Sequence, residues 1–242
     1  MTGFRDYIFD LYGTLADIHT DESPDALWDD AAAFLKTLGV SYTGRTLRAA
    51  YLALCADETR LRAAALPDVP EAYIEPELLH VFLRLLTEHG GTCTEADAKR
   101  FAAVFRRRST LHLRQMPYAR ETLDVLRSRG ARTFLLSNAQ SCFTLDELSA
   151  LGLSDRFDGV LLSSDAGMKK PYTGMFRLLM QRYGIAPETA LMIGNDAVAD
   201  IAGAARAGLR SAYVHTWQSG KRPKTLPPSC TEIPDLSAIL SL

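Results

Sequence analysis

The sequence predicts an α/β protein: a doubly wound parallel sheet carrying a small helical-bundle cap domain inserted near its start. Three observations predict it. Short apolar runs ending in a small or polar residue recur along the chain, as the strands of a parallel sheet buried on both faces do. Amphipathic helical stretches, most of them closed by glycine, lie between the later runs. The rhythm is broken once, by a long helical interval behind the first run. Strand and helix in alternation are what a sheet covered on both faces requires.

The first strand is expected at Tyr7–Asp10 (YIFD), and the next at Thr133–Ser137 (TFLLS), more than a hundred residues on. A crossover helix needs only about a dozen, so something is inserted. From about Asp17 to Leu113 the apolar positions of AAAFLKTL, LRAAYLALC, LLHVFLRLLTEH and ADAKRFAAVFRRR fall at helical spacing, which predicts a cap of about four helices. The domains expected are therefore a core of residues 1–16 and 114–242 and a cap of residues 17–113. Within the core, helices are predicted at Ala119–Arg129, Cys142–Leu151, Tyr172–Tyr183 and Asp200–Ala207. They alternate with further strands at Gly159–Ser163 (GVLLS), Leu191–Gly194 (LMIG) and Ser211–His215 (SAYVH). The proline-rich Gly220–Pro234 reads as a surface loop leading to a last short helix near Asp235–Leu240.

Composition narrows the function. With 242 residues, 47% of them apolar, the chain can bury a substantial core with room for a second small domain. A formal net charge of −2 offers no basic field for a nucleic-acid backbone. Apolar runs fall short of the roughly 20 residues of a bilayer span, and Asp6 and Asp10 spoil a signal-peptide reading, so no membrane partner and a cytoplasmic address are expected. Cys55, Cys93, Cys142 and Cys230 are scattered, with no CxxC pair, which argues against structural disulfides and zinc.

Ligands of open α/β sheets bind outside the carboxyl ends of the strands. The residues just beyond each predicted strand are therefore the candidates: Asp10, Ser137 with Asn138, the loop from Ser163 to Pro171, and Asn195 with Asp196. Together they would bring a carboxylate, a hydroxyl, an amide, a lysine and an acidic cluster into one cleft.

FDLYGTL (Phe9–Leu15) resembles the first motif of the haloacid dehalogenase (HAD) superfamily, whose leading aspartate attacks substrate. Ser137 at the end of its strand resembles the second motif, Lys170 before Pro171 the third, and IGNDAVADIAGA (Ile193–Ala204) the fourth. The four stand in the family's order, and the inserted cap sits where the family places one. The resemblance implies a HAD-like core and a metal-assisted hydrolase acting on a small, phosphorylated molecule.

An ionised Asp10 can attack an electrophile and hold a covalent intermediate, but a phosphate dianion repels it. Two unit charges about 4 Å apart interact by roughly 4 kcal/mol at an effective dielectric near 20. Lys170 and a divalent metal would supply the missing positive charge. Mg²⁺, which prefers oxygen ligands and keeps waters, suits Asp10, Asp196, the Asn195 amide oxygen and the Tyr12 carbonyl. Asp200 would orient its waters or cap the following helix. Ser137 and Asn138 would donate to the transferring group, and Thr14 and Tyr12 join them as substrate-binding residues.

Two departures from the family pattern at acidic positions, Tyr12 and Asn195, keep other readings open. HAD phosphatases usually place a second aspartate where Tyr12 stands, and a phenol with a pKa near 10 is a poor proton donor to a leaving group. HAD dehalogenases resemble this chain there, and DIHT (Asp17–Thr20) is also similar to them. Against dehalogenation, Asp196 and Asp200 would repel a monoanionic haloacid, and Arg45, Arg48, Arg60 and Arg62 qualify as its carboxylate grip by residue type alone. Phosphatase chemistry is the first expectation, carbon–halogen cleavage the second, and a non-catalytic binding protein the third.

Plainer roles stand beside these. Asp10 could cap a turn, Ser137 and Asn138 a helix, and Asp196 and Asp200 could be helix-start acids favoured by the macrodipole. Lys169 competes with Lys170. His19, His80, His89, His112 and His215 show no ligand spacing, with His19 near the hinge. Arg106–Arg108 reads as a solvated helix face.

Overall fold

The structure, a computed structural model, describes residues 3–88 and 93–242. The chain opens with β1 (Asp6–Phe9) and β2 (Ala16–Thr20) and runs through α1 (Asp25–Thr37), α2 (Gly44–Ala65), α3 (Leu78–Thr87) and α4 (Glu95–Ser109) to β3 (Thr110–Gln115). Alternation follows: α5 (Ala119–Ser128), β4 (Arg132–Ser137), α6 (Ser141–Ala150), β5 (Gly159–Leu162), α7 (Ser163–Ala166), α8 (Thr173–Tyr183) and β6 (Ala190–Gly194). A π-helical turn (Ala197–Ala202) then leads into α9 (Gly203–Arg206), β7 (Arg210–Val214), β8 (Cys230–Ile233) and a closing 3-10 helix (Leu236–Ser241).

Among the described residues, six strands form one parallel sheet in the order β5-β4-β1-β6-β7-β8. Successive β1 side chains serve opposite faces, as the two-residue period of a strand dictates. Ile8 joins Phe134, Leu136, Met175 and Phe176 on one side, while Tyr7 and Phe9 join Leu123, Leu126, Leu135 and Leu148 on the other. Burying each such side chain contributes about 1.5–3 kcal/mol, which is why the strands read as unbroken apolar runs. The chain leaves β1 toward β4 on one side and β6 on the other, so the topological switch point lies at the carboxyl end of β1. Asp10 stands there, with Ser137 ending β4 and Asn195 following β6.

The four expected helices of the insertion are α1–α4. They close around Trp28, Tyr51, Phe82, Phe101 and Phe105, with Phe82 edge-on to Phe101 at 5.2 Å. Both α2 and α4 begin with a capping box, Thr43 with Thr46 and Thr94 with Asp97, which satisfies amides left open at a helix start. Phe143 of α6 joins the same cluster, tying the bundle to the sheet-bearing part. His89, at the end of the third predicted helix, lies outside the described residues.

Three elements differ from expectation. β2 and β3 pair as an antiparallel ribbon that straddles both expected domain boundaries. Its Asp17, 1% exposed, accepts hydrogen bonds from His112, Arg114, Trp217 and Gln218, uniting the ribbon with the loop after β7. Within the expected loop 220–234, Cys230–Ile233 forms β8 beside β7. The helix expected from Asp200 starts earlier, as the π-helical turn.

Candidate active site

Asp10 sits at the floor of a cleft of about 190 Å³, lined also by Tyr12, Ser137, Asn138, Lys170, Asn195, Asp196, Ala199, Asp200, Gln218 and Gly220. Its backbone N–H donates to the Ile193 carbonyl at 2.9 Å, continuing the β1–β6 ladder by one residue. Asp10 Oδ1 accepts from Lys170 Nζ at 2.8 Å and from Ser137 Oγ at 3.3 Å. Asp10 Oδ2 lies 3.1 Å from Thr14 Oγ1.

Lys170 is the hub. Its ammonium donates to Asp10 Oδ1, to Asp200 Oδ1 at 2.7 Å and to the Leu136 carbonyl at 2.7 Å, which uses all three of its protons. Burial pulls the pKa of this ammonium down, but the charges of Asp10 and Asp200 outweigh that, and the net shift is upward. Asp200 is pushed up to about 7, first by burial and then by the charge of Asp10, against the opposing pull of Lys170. Its other oxygen accepts from the Asp196 backbone N–H at 2.9 Å. Lys169 is not part of this constellation; it lies 3.6 Å from Glu75 at the surface.

The remaining candidates are placed as follows. Asp196 lies at the exposed rim, and its Oδ1 accepts from the backbone N–H groups of Val198 and Ala199 at 2.7 and 2.8 Å. It caps the π-helical turn, the plainer role considered for it. Asn138 lies in the cleft, but its carboxamide is engaged: Oδ1 accepts from the Lys170 backbone N–H at 2.8 Å and Nδ2 donates to the Lys170 carbonyl at 2.9 Å. Asn195 Oδ1 lies 3.1 Å from Thr14 Oγ1, and its Nδ2 donates to Ser219 Oγ at 3.4 Å. Gly13, at φ +84°, leaves room for that amide; a Cβ there would stand 2.3 Å from Asn195 Nδ2.

Tyr12 turns its phenol away from Asp10. The hydroxyl donates to Glu147 of α6 and lies 2.9 Å from Thr144 Oγ1. Burial, followed by the charge and hydrogen bond of Glu147, pushes its pKa well above the ordinary phenol value. Glu147 also accepts from Arg106 Nε at 2.6 Å, so the expectation of a solvated Arg106 is corrected. Its side chain is 15% exposed, while Arg107 and Arg108 do face solvent. Arg45, Arg48, Arg60 and Arg62 do not line the cleft, and His19 lies on the ribbon beside His112.

The residues missed are Gln218 and Ser219. Their loop closes one wall, and Thr216 Oγ1 donates to the Gly13 carbonyl at 2.9 Å. The strand-end rule, applied to Ser211–His215 as it was to the earlier strands, would have found them.

Among the described residues no three His, Cys, Asp or Glu side chains form a ready-made metal cage. The cleft nonetheless holds more acceptors than donors. Three carboxylates, Asp10, Asp196 and Asp200, line it with one ammonium, and the single proton of Thr14 faces both Asp10 Oδ2 and Asn195 Oδ1. Such a deficit of positive charge fits a hard cation that takes one or two carboxylates and keeps its waters.

A family model described as haloacid dehalogenase-like hydrolase matches residues 7–208, and the chain belongs to that family. It is 34% identical over 153 residues to a phosphoserine phosphatase of Thermus thermophilus, covering 63% of this chain and 59% of that protein. It is also 34% identical over 130 residues to a ribulose-1,5-bisphosphate 5-phosphatase of Halopiger xanaduensis, covering 54% of each. The chain thus spans a little over half the length of these curated relatives. A HAD phosphatase from Thermococcus onnurineus superposes with a TM-score of 0.58 at 20% identity, over 98% of this chain and 96% of that one. A dehalogenase matches at the same TM-score and identity, over 98% and 96%. At that identity the likeness is one of fold. No helix among the described residues is long and apolar enough to cross a membrane.

Proposed function

We propose that this chain is a phosphatase that hydrolyses small phosphomonoesters, with Asp10 as nucleophile and Mg²⁺ as cofactor. The observation that carries the reading is the Asp10 carboxylate at the floor of a cleft sized for a phosphoryl group, one oxygen held by Lys170 and Ser137. An Asp10 oxygen attacks phosphorus, the ester P–O bond breaks, and the departing alkoxide takes a proton. Water then cleaves the aspartyl-phosphate, returning free Asp10 and inorganic phosphate. Lys170 offsets the charge that gathers at the phosphoryl oxygens, and Ser137 donates to them. Asp10, the Tyr12 carbonyl and the Asn195 amide oxygen would hold Mg²⁺, with Asp196 and Asp200 around it, and the ion would supply the positive charge the cleft lacks. We read residues 17–113 as a cap over a core of residues 1–16 and 114–242, excluding bulk water from the reacting group.

With its hydroxyl committed to Glu147, Tyr12 leaves protonation of the leaving group to solvent. Esters with good leaving groups should therefore react faster. The phosphatase names of the curated relatives support a phosphate substrate over a haloacid. Carbon–halogen cleavage is the second reading, favoured by Tyr12 and Asn195 standing where HAD phosphatases resemble one another in having acids.

The test is a panel of aryl phosphates, alkyl phosphates and short haloacids, each with and without Mg²⁺, with Asp10→Asn as the blank. Expected are Mg²⁺-dependent phosphate release, faster for aryl than alkyl esters, and a loss of about 10³-fold or more in Asp10→Asn. Chloride release in a chelator, with no phosphate release, would move the assignment to dehalogenation.

A further inference from the structure

The cap meets the core at the loop that delivers Lys170. Arg62, near the end of α2, donates from Nη1 to the Ser164 carbonyl at 2.9 Å, and its Nε donates to Glu58 at 3.2 Å. Beyond α2 the chain pairs with that loop much as an edge strand would. Glu75 N–H donates to the Gly167 carbonyl at 3.0 Å, and Lys169 N–H to the Tyr73 carbonyl at 2.9 Å, making an antiparallel bridge between Ile74 and Met168. At the far end of the loop the Tyr172 hydroxyl donates to the Asp68 carbonyl at 3.1 Å. Gly167, at φ +69°, sits under the end of α2; a Cβ there would stand 2.8 Å from Leu66 Cδ1 and 3.1 Å from Arg62 Nη1. From the core side, the Asn138 carboxamide grips both the backbone N–H and the carbonyl of Lys170.

A connecting loop is ordinarily among the more mobile parts of a fold. This one carries an ammonium that touches two carboxylates and a carbonyl, and a shift of about 1 Å in such a group can cost a hundredfold in rate. Asn138 fixes Lys170 itself, and Ala139 and Ser141 hold Ser163 and Ser164 from the core. The stretch 167–169 that leads into Lys170 is instead paired with the strap 73–75, and Arg62 adds a contact at the Ser164 carbonyl.

We propose that Arg62 and the strap 68–75 are positioning elements for Lys170. The loop takes its working shape only while the strap is paired to it, so closure of the cap and placement of the lysine are one event. This rests on the role given above to Lys170.

The test uses full-length Arg62→Ala, Arg62→Lys and Tyr172→Phe, with two readouts. The first is amide hydrogen exchange across 163–172 against α5 as an internal reference. The second is kcat and KM for an aryl phosphate with Mg²⁺. Loss of one strut hydrogen bond should speed exchange in 163–172 by about tenfold in Arg62→Ala, with α5 unchanged. kcat should fall about tenfold with KM within about twofold, since the change misplaces a group acting on the transition state. Arg62→Lys should recover part of both, and Tyr172→Phe, which removes one hydroxyl and leaves the packing, should shift both in the same direction by less.

Unchanged exchange in 163–172 in both Arg62→Ala and Tyr172→Phe would overturn the proposal, as would a loss that appears in KM alone. The exchange readout judges the strap whether or not phosphate esters turn over, while the phosphatase reading stands or falls separately on wild type against Asp10→Asn.

Discussion

The floor of the cleft and the interior of the four-helix cap are both closed to water, yet they are built from opposite materials. The cap interior is aromatic and aliphatic, and each contact there adds to stability without depending on protonation. The cleft floor is three ionisable side chains, with Lys170 within hydrogen-bond reach of both Asp10 and Asp200. Buried charges are costly to desolvate, and their attraction repays that only while every partner is present. The comparison teaches that the two closed regions answer to different variables, the helical bundle to packing alone and the cleft floor to charge and pH.

The sharpest way to break the comparison is Lys170→Met. Asp10 and Asp200 would then face each other with no cation between them. Hydrolysis of an aryl phosphate should fall by about 10²–10³-fold, and unfolding in urea at pH 8 should show a loss of roughly 3–5 kcal/mol, smaller near pH 5 where Asp200, its pKa pushed up to about 7, can protonate. A variant as active as wild type would show that the ammonium is a structural counter-ion only.

Phe82→Ala asks the converse. Removing a ring at 0% exposure from the cap interior should cost about 3–5 kcal/mol of stability, read from the urea midpoint. The rate per folded molecule below the transition should stay within about twofold of wild type, because the ring touches none of the charged groups.

The smallest expected effect concerns pH. Asp200 has its folded pKa raised to about 7, so between about pH 4 and pH 7 the folded state binds more protons than the unfolded state. Stability of the chelator-treated protein should therefore fall as pH rises through that window. In Asp200→Asn this component should vanish, and Mg²⁺ should flatten it in wild type by stabilising the charged carboxylates. A melting temperature that climbs over the same range in chelator, beyond that of Asp200→Asn, would show the sign to be wrong.

Much of this was legible in the sequence because burial leaves a period. The strands of the sheet are apolar on both faces, so TFLLS and LMIG announce themselves, and the strand-end rule then collects Asp10, Ser137, Lys170 and Asn195. The ribbon escaped because its strands are short, carry polar residues such as His19 and Arg114, and find their partners across the whole insertion. β8 escaped because an edge strand with two exposed residues has no hydrophobic pattern to show. Side-chain partnerships escaped for another reason: Asn138 clasping the Lys170 backbone, Asp196 capping its own turn and Tyr12 leaning on Glu147 depend on rotamers that spacing does not encode. Arg106 lies at the end of a run of three arginines and differs from its neighbours only by which side of α4 faces Glu147.

Asp17 carries a practical consequence. This one carboxylate gathers donors from the ribbon and from Trp217 and Gln218, and a foreign cap joined at residues 16 and 113 would cut through the β2–β3 ribbon. A chimera joined there would remove Asp17 itself and with it the acceptor that Trp217 and Gln218 share, slackening the wall that Gln218 forms. A transplant that keeps the whole of β2 and β3 with the host, together with the 216–219 loop, would change the helical insertion while leaving the walls of the cleft standing.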